Sequence, residues 1–384
     1  MTQDTGTLNP ILLIDGRALL DPAGGGVFEY ARRLTGALKT SGRFDCRSWA
    51  NAWHGGAAAD VDVLTRAPNK LLHASMRFAG HPTISALAGT RPSVLWMPNA
   101  HFAPEEPGVP LVLTVHDLSC ELYPEFFSVK QRLWHRAVDP RALARRASAI
   151  LAVSETTKRD VIARWGIAPE LVTVTYEGSP AVFSSDVKVS DTPEADDEVR
   201  TRLRLPERFI LHVGALEPRK NHLGLLDAYH QLRPQARFNR LVLAGPSGWN
   251  NAAILRAIRR SPYRDDIRLL GYVTESDRAA LYRLASVFAF PSFYEGFGLP
   301  PLEAMAAGLP VVASHAGAVG EVVGDAGVLT DPYRPSELAD ALAAVLDSLS
   351  LASLYAERGR ERARRFDWDS CAKKTEDAVA RTLR

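Results

Sequence analysis

The chain has 384 residues, 46% hydrophobic and 23% charged, an ordinary globular composition with enough length for two cores rather than one. A net charge of +2 supplies no global field for nucleic acid, and Cys46, Cys120 and Cys371 lie far apart, without metal-ligand spacing or a disulfide framework, which fits a reducing cytoplasm. The opening MTQDTGTLNP lacks a basic region and an apolar signal core, and no run approaches the roughly 18 apolar residues of a membrane span.

Short apolar runs bounded by turn signals alternate with helical periodicity, the pattern of parallel α/β sheets. In the first half this predicts strands at 11–15, 93–97, 111–115, 149–153 and 171–175, with helices over 27–40, 128–146 and 155–165. These belong to a first domain spanning 1–183. Residues 184–198 are rich in Asp, Glu, Ser and Pro and lack aromatics, so 184–200 reads as a surface connector or mobile insertion. A second domain, 201–366, restarts with strands at 209–214, 241–245, 267–273, 287–290 and 311–314 and helices near 221–232, 276–285, 300–307 and 336–348. Two doubly wound domains place a ligand in the cleft between their strand C-terminal ends.

Several segments put chemistry at those strand ends. Gly24-Gly25-Gly26 lies between the first strand and an amphipathic helix, where glycines let backbone approach a ligand; Glu29 stands where a dinucleotide fingerprint needs its third glycine, which weakens a dehydrogenase reading. His116 and Asp117 end an apolar strand; His116 can orient a sugar hydroxyl, and Asp117 either binds substrate or caps the turn. Arg219 and Lys220 follow the strand at 209–214, where cations can grip a diphosphate. The most informative stretch is 291–308, PSFYEGFGLPPLEAMAAG. Glu295 and Glu303 bracket seven residues there, including Gly296, Phe297, Gly298 and Leu299 and two prolines that open a helix. The loop amides ahead of that helix suit a phosphate, whereas Glu303 and Glu295 can accept hydrogen bonds from neutral hydroxyls, the first from a ribose diol and the second from a sugar. The plainer reading makes Glu303 a dipole-favouring residue at a helix start and the glycines a turn.

The string from Glu295 to Glu303, with GFGLP inside it and EAMAAG closing it, resembles the retaining glycosyltransferases of the GT4 family, which have the two-domain GT-B fold. The GALEPRKN segment 214–221 and the VHD of 115–117 resemble two further family segments, although Ala215 stands where many members carry an additional Arg. The resemblance implies that Glu303 binds the nucleotide ribose, that Glu295 touches the donor sugar and that the amides of 297–299 hold the distal phosphate. It also implies that Gly25 and Gly26 face the donor phosphates, that His116 lies by the donor sugar and that the last helix, 367–384, crosses back onto the first domain, anchored by Phe366 and Trp368. Ser154 and Glu321 match family positions as well, the first explained by helix capping and the second by structure.

The function the resemblance implies is transfer of a hexose from a nucleotide-diphosphate sugar to an acceptor hydroxyl with retention. His116, Glu295, Arg219 and Lys220 carry the chemistry, and Asp117 is a candidate acceptor contact. Within the family the 214–221 and 115–119 segments look most like bacterial polysaccharide mannosyltransferases using GDP-mannose, with a glycan or lipid-linked oligosaccharide as acceptor. A UDP-sugar-dependent glucosyl- or N-acetylhexosaminyltransferase is the alternative donor choice. A sugar-nucleotide epimerase and a non-catalytic binding subunit are alternatives of other classes. No metal or other cofactor is expected, because Asp60-Val-Asp62 and Asp367-Trp-Asp369 lack a strand-end context and Arg219, Lys220 and a helix dipole can balance the leaving diphosphate. Residues 127–146 set Lys130, Arg132, Arg136, Arg141, Arg145 and Arg146 against Asp139, with Phe126, Phe127 and Trp134 interleaved. This is either a solvated helix broken at Pro140 or a surface for anionic lipid, which would place a cytoplasmic protein at the inner membrane face.

Overall fold

The computed structural model describes residues 9–21, 25–53, 60–179, 183, 193–232 and 240–384. Its frame is two parallel sheets. The first contains β1 (Ile11–Asp15), β2 (Asp45–Asn51), β3 (Val63–Thr65), β4 (Val94–Met97), β5 (Leu111–Val115), β6 (Ala149–Ala152) and β7 (Val172–Val174), in the order β3-β2-β1-β4-β5-β6-β7. The second contains β8 (Phe209–Val213), β9 (Arg240–Ala244), β10 (Ile267–Gly271), β11 (Val287–Phe290), β12 (Val311–Ser314) and β13 (Val328–Thr330), in the order β10-β9-β8-β11-β12-β13. In both, the chain runs outward one way from the first strand and then returns to its other side. The reversal falls between β1 and β4, where Leu13 pairs with Leu95, and between β8 and β11, where Ile210 pairs with Val287. Helices cover both faces, which is why the central strands are buried at nearly every position instead of alternating.

The apolar runs predicted as strands all form strands within a residue or two at each end. β2 is absent from the predicted elements because its sequence, Asp-Cys-Arg-Ser-Trp-Ala-Asn, reads as polar; buried Ser48 is satisfied by Asp62, whose carboxylate accepts from the Ser48 amide at 2.7 Å and hydroxyl at 2.8 Å. β3 and β13, three residues each, are too short to show a period. The expected helix 128–146 is two helices, Val129–Val138 and Pro140–Arg146, because Asp139 adopts φ 53° and caps the second one by accepting from the Ala142 amide. The expected connector needs correction. Residues 184–192 lie outside the described residues, but Pro193–Arg202 is a helix, and its charges pair with the helix Glu275–Leu284 through Asp196–Arg283 at 2.6 Å and Arg202–Asp277. Charges that resembled a solvated linker are cross-helix partners.

The tail does cross back. Helix Trp368–Arg381, capped by Asp367 accepting from the Ser370 amide at 2.7 Å, packs on helix Gly25–Ser41 and against β6 and β7. Trp368 lies 6.1 Å from Tyr30, and Phe366 meets Tyr176 and Phe297 at 5.6 and 5.8 Å. Gly178 is what admits the crossing, since a Cβ there would come within 2.5 Å of the Trp368 amide. One continuous core joins the facing layers of both sheets and this helix, and separate cores lie on each sheet's other face.

Candidate functional site

The two sheet reversals face each other, and the predicted site residues follow the strands that border them. On the second domain, β11 leads through Pro291 into the loop 291–298 and helix Leu299–Ala306. Gly298 sits at φ 110°, a conformation open to glycine, and Pro300 and Pro301 fill the first turn without N–H groups, so the loop amides alone are presented ahead of the helix. Phe297 is buried against Phe366 and Tyr176, leaving it a backbone role in the cleft. Gly296 has no room for a side chain: a Cβ would lie 1.9 Å from the His116 carbonyl oxygen of the first domain. Gly26, exposed at the start of helix Gly25–Ser41, faces Leu299, and a Cβ added there would lie 3.7 Å from the Leu299 Cδ1. Two helix N-termini therefore approach one another across the cleft, which makes it attractive to a phosphate group.

The paired glutamates have different surroundings. Glu295 places one oxygen 2.7 Å from Arg219 Nη1 and the other 2.7 Å from Lys220 Nζ. Burial would raise its carboxyl, but Arg219 and then Lys220 overcome that and hold it down to about 2. Arg219 also donates to Glu217 at 2.8 Å and to the Tyr294 carbonyl at 2.8 Å. Arg219 and Lys220, expected to grip a diphosphate, are both paired within the cleft with Glu295 and Glu217, because two cations this deeply buried require partners. Asn221, at φ 56°, braces this loop by donating to the Pro291 and Pro332 carbonyls at 3.1 and 2.7 Å.

Glu303 is also buried but has thinner compensation. It accepts from Arg278 at 3.1 Å and the Tyr282 hydroxyl at 2.9 Å, and burial outweighs both, raising its carboxyl to about 7. Arg278 and Tyr282 were not among the sequence-derived candidates, although their i, i+4 spacing on one helix places them on one face.

On the first domain, His116 donates from Nε2 to the Pro98 carbonyl at 2.8 Å and turns Nδ1 toward Glu177, 3.6 Å away. Glu177, likewise missing from the sequence reading, is buried at the end of the segment after β7, and burial raises its carboxyl. Asp117 accepts from the Ser119 amide at 2.8 Å and hydroxyl at 2.6 Å, so one of its oxygens is used in the turn, the capping alternative. Ser154 caps helix Glu155–Trp165 by accepting from the Thr157 amide, and Glu321 reaches that helix from the other domain, accepting from the Glu155 and Thr156 amides at 2.8 and 3.0 Å. Both are structural, and Glu321 bridges the domains. Among the described residues no cluster of three or more His, Cys, Asp or Glu side chains is arranged to hold a metal.

Residues 194–362 match the family model described as glycosyl transferases group 1, and residues 24–179 match that of glycosyltransferase family 4. With the two facing doubly wound domains, these matches define a glycosyltransferase of the GT-B fold. O-antigen chain mannosyltransferase B of Escherichia coli is 34% identical over 269 residues, covering 70% of this chain and 69% of that protein. The serotype-specific mannosyltransferase WbdA of E. coli is 26% identical over 330 residues, 85% of this chain but only 38% of that relative's length. Among solved structures, Anabaena HepE in complex with UDP and glucose aligns with a TM-score of 0.71 at 22% identity, over 97% of this chain and 99% of that one, a likeness of fold. The chain belongs to glycosyltransferase family 4.

Proposed function

We propose that this glycosyltransferase moves a mannosyl residue from GDP-mannose, with retention, to a hydroxyl of a glycan or lipid-linked oligosaccharide. The observation that carries the transfer chemistry is the cluster of Glu295, Arg219 and Lys220 beside the amides of 297–299. The names of the two E. coli mannosyltransferases support the choice of sugar. In this reading the loop amides and the N-terminal turn of helix Leu299–Ala306 hold the β-phosphate. Arg219 and Lys220 exchange part of their pairing with Glu295 for that phosphate, and the released carboxylate meets the sugar hydroxyls. Glu303 accepts from the ribose diol. Cleavage of the C1–O bond to the β-phosphate and formation of the new C1–O bond occur on the same face. The acceptor proton passes to the β-phosphate oxygen, and GDP and an α-glycoside leave. His116 lines the same cleft and stabilises the positive charge developing on the sugar. Arg219 and Lys220 take the charge-balancing role of a metal.

The cytoplasmic face of a membrane is the proposed place of action. On helix Val129–Val138, Val129 and Leu133 are exposed beside Lys130, Arg132 and Arg136, a composition suited to peripheral contact with anionic lipid. Among the described residues no single helix is long and apolar enough to cross a membrane. A thermal-shift screen of GDP- and UDP-sugars, followed by NMR of the transferred anomer, tests the proposal. Stabilisation by UDP-sugars alone would overturn the donor, and an inverted product would overturn the retaining step.

A further inference from the structure

A cluster of rings stands at the cleft-facing edge of the first sheet, outside the donor residues. It is assembled from three separate stretches: helix Asn69–Ala74 after β3, the loop after β4, and helix Val129–Val138. His73 lies 4.9 Å from both His101 and Phe102, and Trp134 meets His101 edge-on at 5.7 Å. The loop carrying His101 begins at Pro98, whose carbonyl holds His116, so the rings continue directly from the reacting end of the cleft. Phe102 is buried, whereas the Trp134 indole is 43% exposed.

The polar atoms among these rings are unusual. Arg17, buried after β1, donates to the Phe102 carbonyl at 2.9 Å and forms a two-point pair with Asp15, yet its Nη1 is buried without a partner among the described residues. His101 Nδ1 accepts from the Phe102 amide at 2.8 Å, which puts the ring proton on Nε2. Burial, reinforced by the charge of Arg17, lowers both His73 and His101, so each stays neutral at pH 7; His101 then offers its Nε2–H as a donor, and His73 offers one donor and one acceptor.

We propose that His73, His101 and Trp134 form the subsite for the acceptor sugar, which holds a neutral hexose by its apolar ring face and its hydroxyls, with Arg17 fixing the Phe102 backbone behind the rings. The chemistry selects that class. A pyranose presents an apolar CH face that packs on an exposed indole, and its hydroxyls both donate and accept, as neutral imidazoles do. A uronic acid is disfavoured, because Arg17, the buried cation behind these rings, is already paired with Asp15. The inference rests on the transferase reading and adds where that enzyme recognises its acceptor.

The test is isothermal titration of the full chain with an α-linked mannotriose, with octyl α-D-mannopyranoside and, separately, with GDP. Trp134→Leu and His73→Ala are each expected to weaken mannotriose at least tenfold while GDP affinity stays within twofold of the parent. Mannotriose affinity unchanged in both variants, or no mannotriose binding by the parent, overturns the subsite. So does GDP affinity falling in step with that of the saccharide, which would mark a general distortion. Binding of the octyl glycoside without mannotriose would also overturn it, by assigning the rings to a lipid chain. Failure of the transferase reading appears elsewhere, as absent turnover of any nucleotide sugar by the parent, and does not enter the saccharide titration.

Discussion

Replacing Glu295 with glutamine separates the stabilising role of this carboxylate from its effect on the donor. Glu295 is 7% exposed and 2.7 Å from both Arg219 Nη1 and Lys220 Nζ, so the substitution leaves two buried cations with Glu217 as their only directly paired carboxylate. In the parent the carboxyl is held at about 2 against an ordinary 4.5, so the folded state binds its proton more weakly than the unfolded one. That contribution is present above the ordinary value and is lost as pH falls through about 2. The difference corresponds to about 3 kcal/mol, at the lower edge of the roughly 3–5 kcal/mol lost when one partner of a buried pair is removed. At roughly 2–4 °C per kcal/mol for a domain of this size, Glu295→Gln should melt about 6–20 °C lower at pH 7.

GDP affinity should move the other way. The variant cleft carries one more net positive charge, and a unit charge about 5 Å from the diphosphate is worth about 3 kcal/mol at an effective dielectric of about 20. Salt and water exchange reduce this to roughly 1–2 kcal/mol, or about 5- to 30-fold tighter GDP. Turnover should fall roughly 10- to 100-fold, because the donor sugar loses a charge-assisted partner. Calorimetric titration with GDP and melting curves with and without it read both effects. Weaker GDP binding, or an unchanged melting temperature, would refute the account of Arg219 and Lys220 as cations neutralised by Glu295.

Gly296→Ala should hold the domains apart, since its Cβ would lie 1.9 Å from the His116 carbonyl oxygen; a turnover loss of roughly 100-fold with a larger radius of gyration in solution scattering is expected, and full activity would contradict it. Burial raises Glu303 to about 7, so its contribution to stability is complete below the ordinary 4.5 and is lost as pH rises through about 7. Glu303→Gln should therefore gain up to about 3 kcal/mol on the parent between pH 5 and pH 8. At pH 8 the same variant should bind GDP about 10- to 100-fold more weakly; melting and titration series across this range check both. Glu321→Ala removes the acceptor of the Glu155 and Thr156 amides across the cleft, a capping loss of about 1–2 kcal/mol, which should appear as a roughly 5- to 30-fold higher donor KM if closure is what it supports.

The sequence by itself determined the two-sheet frame and the loop and helix start at 291–308. Apolar runs such as ILLID and VFAF can be buried on both faces only in parallel sheets covered by helices, and Gly296, Gly298, Pro300 and Pro301 restrict the backbone enough to announce a loop and helix start. Its local patterns also placed Ser154 as a cap and Phe366 and Trp368 as the anchors of the returning helix. Tertiary structure decided what those side chains face. Arg219 and Lys220 are legible as cations beside a strand end, but their neutralisation by a carboxylate about 75 residues further on depends on β8 and β11 being neighbours. Glu303 acquires its raised carboxyl from burial against Arg278 and Tyr282, and Glu177 acquires its importance from the turn of His116 toward it. β2 hid its strand character because Asp62 satisfies Ser48 from a separate segment, and the acidic stretch before Arg202 looked like a linker because its partners, Asp277 and Arg283, lie on another helix. Periodicity and backbone restriction act over a few residues and are written locally, whereas burial and charge pairing depend on distances that exist only once the chain has folded.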